Sequence, residues 1–274
     1  GSLSSFLISD IDLFSRADIK TILLEDGLIY NFHMANNLIH ELVSSISGDA
    51  PVRKISIGAH WSAVSSRYCG MASTVLTTQP HGEAHVREAG TLHTQTARSL
   101  AQMLLSDSWL EAGIGLAALN SLNEIPKLKI TPVNAFKVVA EKGVGKQVAV
   151  FGHFPYLQEV KASAARLSVF ELNPGPDELA LDQVPKILPE AQVVAITSNT
   201  IINHTINDIL PYLNRNAFTI LVGPSTPLNP LLFDYGFSLL AGVRVVDEDA
   251  LYLSVSQGAV FRQVKGAELI TIAR

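Results

Sequence analysis

Hydrophobic and polar positions follow two different patterns along the chain. In the first half, apolar residues recur at helical spacing over residues 32–46, and strand-like stretches at 54–61 and 73–78 have a spacing that allows a hairpin. Helical spacing returns at residues 95–105 and 109–122, where Ser108 and Glu111 form the pattern of a capping box. Strands followed by helices predict an α+β domain over residues 1–142.

From Gly145 onward, short apolar runs alternate regularly with helical segments. Strands that are buried on both faces lose the polar alternation, which is typical of a parallel sheet covered by helices. The pattern therefore predicts an α/β domain over residues 143–274, with Gly143 and Gly145 as a hinge and the clearest helix at 200–210. The predicted strands are residues 148–151, 167–170, 193–196, 219–222 and 243–246.

Composition narrows the class of protein. Hydrophobic residues make up 47% of the sequence and charged residues 16%, which predicts a compact interior, and no apolar run approaches the roughly 20 residues of a membrane span. The single cysteine, Cys69, excludes an internal disulfide and favours a reducing, cytoplasmic environment. Gly1 in place of an initiator Met suggests that the natural start is absent.

Charge disfavours nucleic acid as a partner. The net charge is −5, and from Gln147 to Ser254 there are 5 Lys and Arg against 11 Asp and Glu, a balance that repels phosphate backbones. We therefore expect a small-molecule or metal-complex ligand, with neither nucleic acid nor a membrane as partner. A homo-oligomer remains compatible with the sequence.

Polar residues concentrate where the predicted parallel strands end. Ligands of open parallel sheets collect at this edge, where loops converge and helix N-termini expose amides. We therefore expect one crevice there. Its candidate lining residues are His153, Phe154, Glu171, Asn173, Ser198, Asn199, Thr200, Ser225 and Thr226.

Each of these residues also has a structural explanation. Glu171 follows Gly152 by nineteen positions, the spacing of a ribose-binding acid, but it also fits a solvent-exposed acid at a strand end. The missing G-x-G-x-x-G pattern and Pro155 disfavour NAD and leave S-adenosylmethionine or a nucleoside-type ligand. Ser198 and Asn199 fit helix caps, and the proline-rich residues 223–230 fit a stiff connection.

Metal ligation is a separate hypothesis. His153 is a candidate acid, base or metal ligand, or else a partly exposed turn histidine, and Asp234 is a candidate carboxylate ligand or a surface acid. His81 and His85 are spaced like ligands on a helix, but Pro80 and Gly82 weaken that helix. Hydrolase and kinase motifs are missing from the sequence, so catalytic residues are not assigned and an enzymatic role stays open.

Short sequence segments at the predicted strand ends resemble those of a known family. The runs VFGHFP (150–155), FELNP (170–174), ITSNTIIN (196–203), VGPSTPL (222–228) and LLAGV (239–243) resemble the putative heavy-metal chelation domain family. HWSAV (60–64) and EAGIGLAALN (111–120) resemble its companion N-terminal domain.

This resemblance implies an enolase N-terminal-like α+β domain, a Rossmann-like C-terminal domain and a ligand site in the cleft between them. Asn120 would then be the contribution of the N-terminal domain to the cleft. The implied function is binding of a small molecule or metal complex linked to heavy-metal chelation, with a divalent ion held by His153, Glu171 and Asp234. The alternatives are a nucleoside-binding or S-adenosylmethionine-binding enzyme and a non-enzymatic ligand sensor.

Overall fold

The chain divides into two compact units, residues 1–36 and residues 37–274. In the first unit, strand β1 (Lys20–Leu23) pairs antiparallel with β2 (Ile29–Phe32). All other elements belong to the second unit, within which the division between residues 142 and 143 stays a prediction. The computed structural model describes residues 37–76, 86–126, 135–154 and 157–274, with short strands at 20–23, 29–32 and 130–131.

The first part of the second unit is an α+β arrangement. Its three strands form one antiparallel sheet in chain order, and the helices pack on it through a continuous apolar core. This confirms the predicted mixture of strands followed by helices. The elements are α1 (Leu38–Ser44), β3 (Lys54–Ile57), β4 (Trp61–Ser65), β5 (Cys69–Ser73), α2 (Ala97–Ala101) and α3 (Trp109–Leu122).

Several predicted boundaries in this region are wrong, and local hydrogen bonds explain why. The helix predicted from residue 32 begins at Leu38, because Asn37 Oδ1 accepts the backbone N–H groups of Ile39 and His40 and so caps it. The strand predicted at 54–61 is split by a turn in which Gly58 N–H donates to Trp61 O at 2.9 Å. Residues 73–78 are predicted as a strand, but the observed strand β5 ends at Ser73. Residues 77–85, which include His81 and His85, lie outside the described residues.

Only one of the two hydrogen bonds of the predicted capping box at α3 is present. Ser108 Oγ accepts the N–H of Glu111 at 3.4 Å, as expected for a cap. The Glu111 carboxylate instead accepts hydrogen bonds from Arg87 and from Ser106 Oγ, the latter at 2.6 Å. Burial of Glu111 opposes its ionisation, but these hydrogen bonds outweigh that effect and lower its pKa.

The second part of the unit alternates strands with helices. Within the described residues, seven strands form one sheet in the order β6–β12–β11–β10–β9–β7–β8, with β7 to β11 parallel and the β12 and β6 pairings antiparallel. The predicted class, an α/β protein with a largely parallel sheet, is thus confirmed. The elements are β6 (Ile130–Thr131), α4 (Ala135–Gly143), β7 (Gln147–Phe151), α5 (Leu157–Ser163), β8 (Arg166–Phe170), α6 (Val184–Ile187), β9 (Val193–Thr197), α7 (Asn199–Ile202), α8 (Ile206–Ile209), β10 (Phe218–Val222), α9 (Leu231–Asp234), β11 (Leu239–Val245), α10 (Glu248–Ser256) and β12 (Ala267–Ala273).

Two elements differ from their predictions. The sequence predicts strand β11 at residues 243–246, but the strand begins at Leu239. Its pairing with β10 covers residues 239–241. The helix predicted at 200–210 is two short helices, because His204 adopts a left-handed backbone with φ of 64° and its Nε2 lies 2.7 Å from Leu104 O. Among the described residues, no helix has the length and apolar character needed to cross a membrane.

Helix α10 connects the two parts of the unit through hydrogen bonds to strands β3 and β4. The buried Tyr252 hydroxyl lies 2.7 Å from Lys54 O and 3.1 Å from Ser65 Oγ. Glu248 accepts hydrogen bonds from Arg53 Nη2 at 2.7 Å and from Ser65 Oγ at 2.8 Å. Strands β3 and β4 are therefore held against α10 by polar contacts as well as by apolar packing.

Replacing Tyr252 with Phe should destabilise the protein by about 1–3 kcal/mol, because Lys54 O and the fully buried Ser65 Oγ lose a hydrogen-bond partner. The matched control is Tyr212→Phe, since Tyr212 is exposed, and it should change stability by less than about 0.5 kcal/mol. The free energy of unfolding in urea measures both. Equal effects of the two substitutions would contradict the assigned role of Tyr252.

The Glu248 contacts predict a pH dependence. The hydrogen bond from Arg53 lowers the pKa of Glu248, burial partly opposes this, and the Ser65 hydrogen bond adds to the lowering. A lowered folded-state pKa adds stability above the unfolded pKa, and this stability is lost as the pH falls through the folded value. The stability difference between wild type and Glu248→Gln should therefore shrink below about pH 4.5, the ordinary glutamate value. Asp249→Asn, at a largely exposed ion pair, should change stability little at any pH.

Candidate functional site

The ends of three parallel strands meet at one edge of the sheet. Phe151, the last residue of β7, pairs in register with Phe170 of β8 and with Ile196 of β9. The Phe151 and Phe170 rings stack with centroids 4.7 Å apart and planes 11° from parallel. The residues that follow these strands therefore emerge side by side, as the strand pattern predicted.

A cavity of about 350 Å³ opens at this edge, and we call it the carboxyl-edge pocket. Val75 and Trp109 from the α+β part face the strand ends and loops of the parallel sheet across it. The pocket thus lies between the two parts of the unit. Its lining residues are Val75, Trp109, Phe151, Gly152, His153, Phe170, Glu171, Leu172, Leu181, Thr197, Asn199, Thr200, Asn203, Thr205 and Ile209.

His153 stands between two carboxylates at the rim of this pocket. Its Nδ1 lies 2.6 Å from Glu171 Oε1, and its Nε2 lies 2.5 Å from Glu178 Oε1. Carboxylates only accept, so both contacts are hydrogen bonds at once when both ring nitrogens carry protons. The histidine is 67% exposed, while the side chains of Glu171 and Glu178 are 23% and 16% exposed. Glu178 also accepts Gly175 N–H, which ties the loop after β8 into the cluster.

The polar side chains at the start of α7 differ in their hydrogen bonding. Ser198 occupies the cap position, but its side chain makes no capping bond, so the capping hypothesis for this residue is wrong. Thr200 Oγ1 donates to Thr197 O at 2.7 Å and lines the pocket. Asn199 donates its backbone N–H to Thr197 Oγ1, whereas its side-chain amide makes no hydrogen bond to any described residue.

Two other predicted residues, Ser225 and Asn120, form a seam next to the pocket. Ser225 is fully buried, and its Oγ accepts Ser73 N–H at 2.8 Å. Asn120 Nδ2 donates to Met71 O and to Ser225 O, both at 3.1 Å. Asn120, which we expected to line the cleft, instead links the two parts of the unit through backbone carbonyls. Thr226 is buried beside this seam.

The structure therefore brings four of the ten predicted lining residues into the pocket: His153, Glu171, Asn199 and Thr200. Phe154 packs instead with the apolar cluster that contains α4 and α5 residues, and Asn173 lies exposed in the loop after β8. Ser198 is buried behind the start of α7.

The three predicted metal ligands do not converge, because Asp234 lies apart from His153 and Glu171. Asp234 contacts Arg274 at 3.5 Å, next to the start of β11 and hence at the opposite edge of the sheet from His153 and Glu171. In the described part of the chain, no group of three His, Cys, Asp or Glu side chains could hold one ion. Burial raises the pKa of the Cys69 thiol to about 11, so it stays protonated and is a poor metal ligand.

Sequence reasoning missed several pocket residues. Glu178 is the third acid in the loop after β8, it contacts His153 at the rim, and no regular spacing marks it. The Ser108 cap predicts that a helix begins at Trp109, but nothing in the sequence places Trp109 at the edge of the sheet. Asn203 and Thr205 flank His204, and their positions depend on its left-handed backbone.

Two strand ends at this edge require glycine. Gly152 and Gly223 have φ of 101° and 139°, and a Cβ on Gly223 would lie 2.5 Å from Ser198 Oγ. Gly223→Ala should therefore destabilise the protein by about 2 kcal/mol or more. The control is Gly145→Ala, where φ is 67° and the space is open, with an expected cost of about 1 kcal/mol. Thermal unfolding measures both, and a smaller cost at Gly223 would contradict this packing.

The fold and the edge pocket define a two-part α/β protein with a Rossmann-like parallel sheet. The chain belongs to the DUF364 family, described as "Putative heavy-metal chelation", which matches residues 134–274. Residues 39–123 match a second family, DUF4213, with the same description. The resemblance seen in the sequence is thus confirmed.

Known proteins support this assignment. The chain is 27% identical over 175 residues to an uncharacterized protein of Methanocaldococcus jannaschii, a match that spans 60% of this chain and 66% of that protein, just under two thirds. A DUF364 structure from Desulfitobacterium hafniense, of unknown function, is 26% identical with a TM-score of 0.74 and covers 89% of this chain and 100% of that one. A DUF364 structure from Pyrococcus horikoshii shares the fold at 17% identity and a TM-score of 0.72, over 88% and 99% of the two chains.

Proposed function

We propose that the carboxyl-edge pocket binds a small organic molecule that is neutral or positively charged, including a metal ion already held in an organic complex. The observation that carries this proposal is the cavity of about 350 Å³, with apolar walls and convergent polar side chains at the edge of a parallel sheet. Ligand pockets in proteins combine these features.

The charge of the site determines the ligand class. Of the described residues that line the pocket, His153 and Glu171 are the ionisable ones, and Glu178 contacts His153 from the adjoining loop. Two ionised carboxylates and one imidazole carry a negative net charge whether or not the imidazole is protonated. Anionic ligands such as free phosphates are therefore disfavoured.

The arrangement of ligating atoms favours a preformed metal complex over a bare ion. Both ring nitrogens of His153 are occupied by carboxylates that would have to move before an ion could bind. Trp109 and Val75 line the pocket with apolar side chains that a bare ion cannot use. The family description, heavy-metal chelation, is compatible with such a complex.

Ligand-induced thermal shifts test this proposal. We expect at least one of adenosine, S-adenosylmethionine and the nickel–histidine complex to raise the melting temperature, and free Ni²⁺ or Zn²⁺ to have little effect. Glu171→Gln should weaken binding of a cationic probe by about 10–100-fold, because a charge-assisted contact is worth about 1.5–3 kcal/mol.

The matched control is Glu190→Gln, which neutralises an exposed acid before the amino end of β9. It should leave the thermal shifts unchanged. Stabilisation by free Ni²⁺ or Zn²⁺ that is lost in His153→Ala would replace this proposal with direct ion binding. Thermal shifts with a cationic probe that are insensitive to Glu171→Gln would place binding elsewhere.

A further inference from the structure

A second cavity of about 370 Å³ adjoins the carboxyl-edge pocket, and we call it the aromatic pocket. Trp61, Phe261, His60 and Thr74 contribute to its lining. Val75 and Asn199 line both cavities, so the two share a wall. Each cavity lies near the lower limit of about 300 Å³ for ligand pockets, whereas both together suit an extended ligand.

The two aromatic rings of this pocket are held in place before any ligand binds. Trp61 Nε1 donates to Ala259 O at 3.0 Å, which fixes the indole. Its ring meets Phe261 edge to face, with centroids 5.7 Å apart and planes at 65°. Fixed rings lose little conformational entropy on binding and favour a planar, aromatic partner.

The polarity of the two pockets differs. Among its described lining residues, the aromatic pocket has no Asp, Glu, Lys or Arg, so it suits an uncharged ring. The carboxyl-edge pocket has Glu171 in its lining and therefore suits a cation. Asn199 lies in both, and its side-chain amide, which makes no hydrogen bond within the described part of the chain, can donate to and accept from a ligand at the junction.

We infer that one extended ligand spans both pockets, with an uncharged planar heterocycle beside Trp61 and Phe261 and a positively charged end beside Glu171. This inference rests on the proposed function and narrows its ligand class to a nucleoside with a cationic side chain. S-adenosylmethionine has this chemistry, and adenosine has the ring without the cation.

The chain contains two tryptophans, and each lines a different pocket. In Trp109→Phe the remaining fluorescence reports the aromatic pocket, and in Trp61→Phe it reports the carboxyl-edge pocket. Titrating S-adenosylmethionine into both variants should change the fluorescence of each. Since Trp61 supplies the stacking surface, Trp61→Phe should also bind about 5–10-fold more weakly than wild type.

Charge substitutions test the orientation of the ligand. Glu171→Gln should weaken S-adenosylmethionine about tenfold or more and leave adenosine within about twofold. Glu190→Gln should alter neither. Phe261→Leu, which retains both tryptophans, should weaken both probes several-fold, and circular dichroism checks that each variant is folded.

The outcomes separate this inference from the proposed function. A response of Trp109 without one of Trp61 overturns the extended ligand but leaves binding in the carboxyl-edge pocket. A response of Trp61 without one of Trp109 also overturns it. If neither tryptophan responds to S-adenosylmethionine, a cationic nucleoside is the wrong ligand class. The thermal shifts with the nickel–histidine complex then test the proposed function separately.

Discussion

The seam between β5 and the loop after β10 is the constraint on which the candidate site depends. Ser225 is fully buried and accepts Ser73 N–H, while Asn120 donates to carbonyls on both sides of the seam. Loss of one partner while the seam stays closed would leave a part-buried polar group without its hydrogen bond, which is costly. The end of β5, with Val75 just beyond it, is therefore held over the carboxyl edge of the parallel sheet, where it completes both pockets.

The pairing of acidic groups explains why charge accumulates at the carboxyl-edge pocket. Elsewhere, acids such as Glu111 and Glu248 are neutralised by Arg87 and Arg53. Glu171 and Glu178 share a histidine instead. Two carboxylates on one imidazole leave excess negative charge beside an apolar cavity, a combination that attracts cations carrying an organic surface. A metal in an organic complex and a cationic nucleoside both meet this description.

Much of the parallel sheet could be predicted, because strands buried on both faces appear as short apolar runs. Four of the five predicted parallel strands lie within one residue of the observed ones, and their shared direction places the residues after them at one edge. The start of β11 was missed because its apolar run continues across Gly242, where the neighbouring loop approaches so closely that a Cβ would lie 2.9 Å from Thr226 O. The break at His204 was missed because it depends on the Leu104 carbonyl, far away in the sequence.

Hydrophobic periodicity and turn residues by themselves determined the class of fold, the order of the main elements and the edge at which a site could form, since these follow from interactions between near neighbours in the chain. Only the tertiary structure decided which residues at this edge face the pocket, as Asn199 does, and which belong to the seam, as Ser225 does. It also brought Glu178 to His153 and Trp109 to the strand ends. These contacts join segments distant in sequence, and they depend on how side chains pack once the elements have assembled.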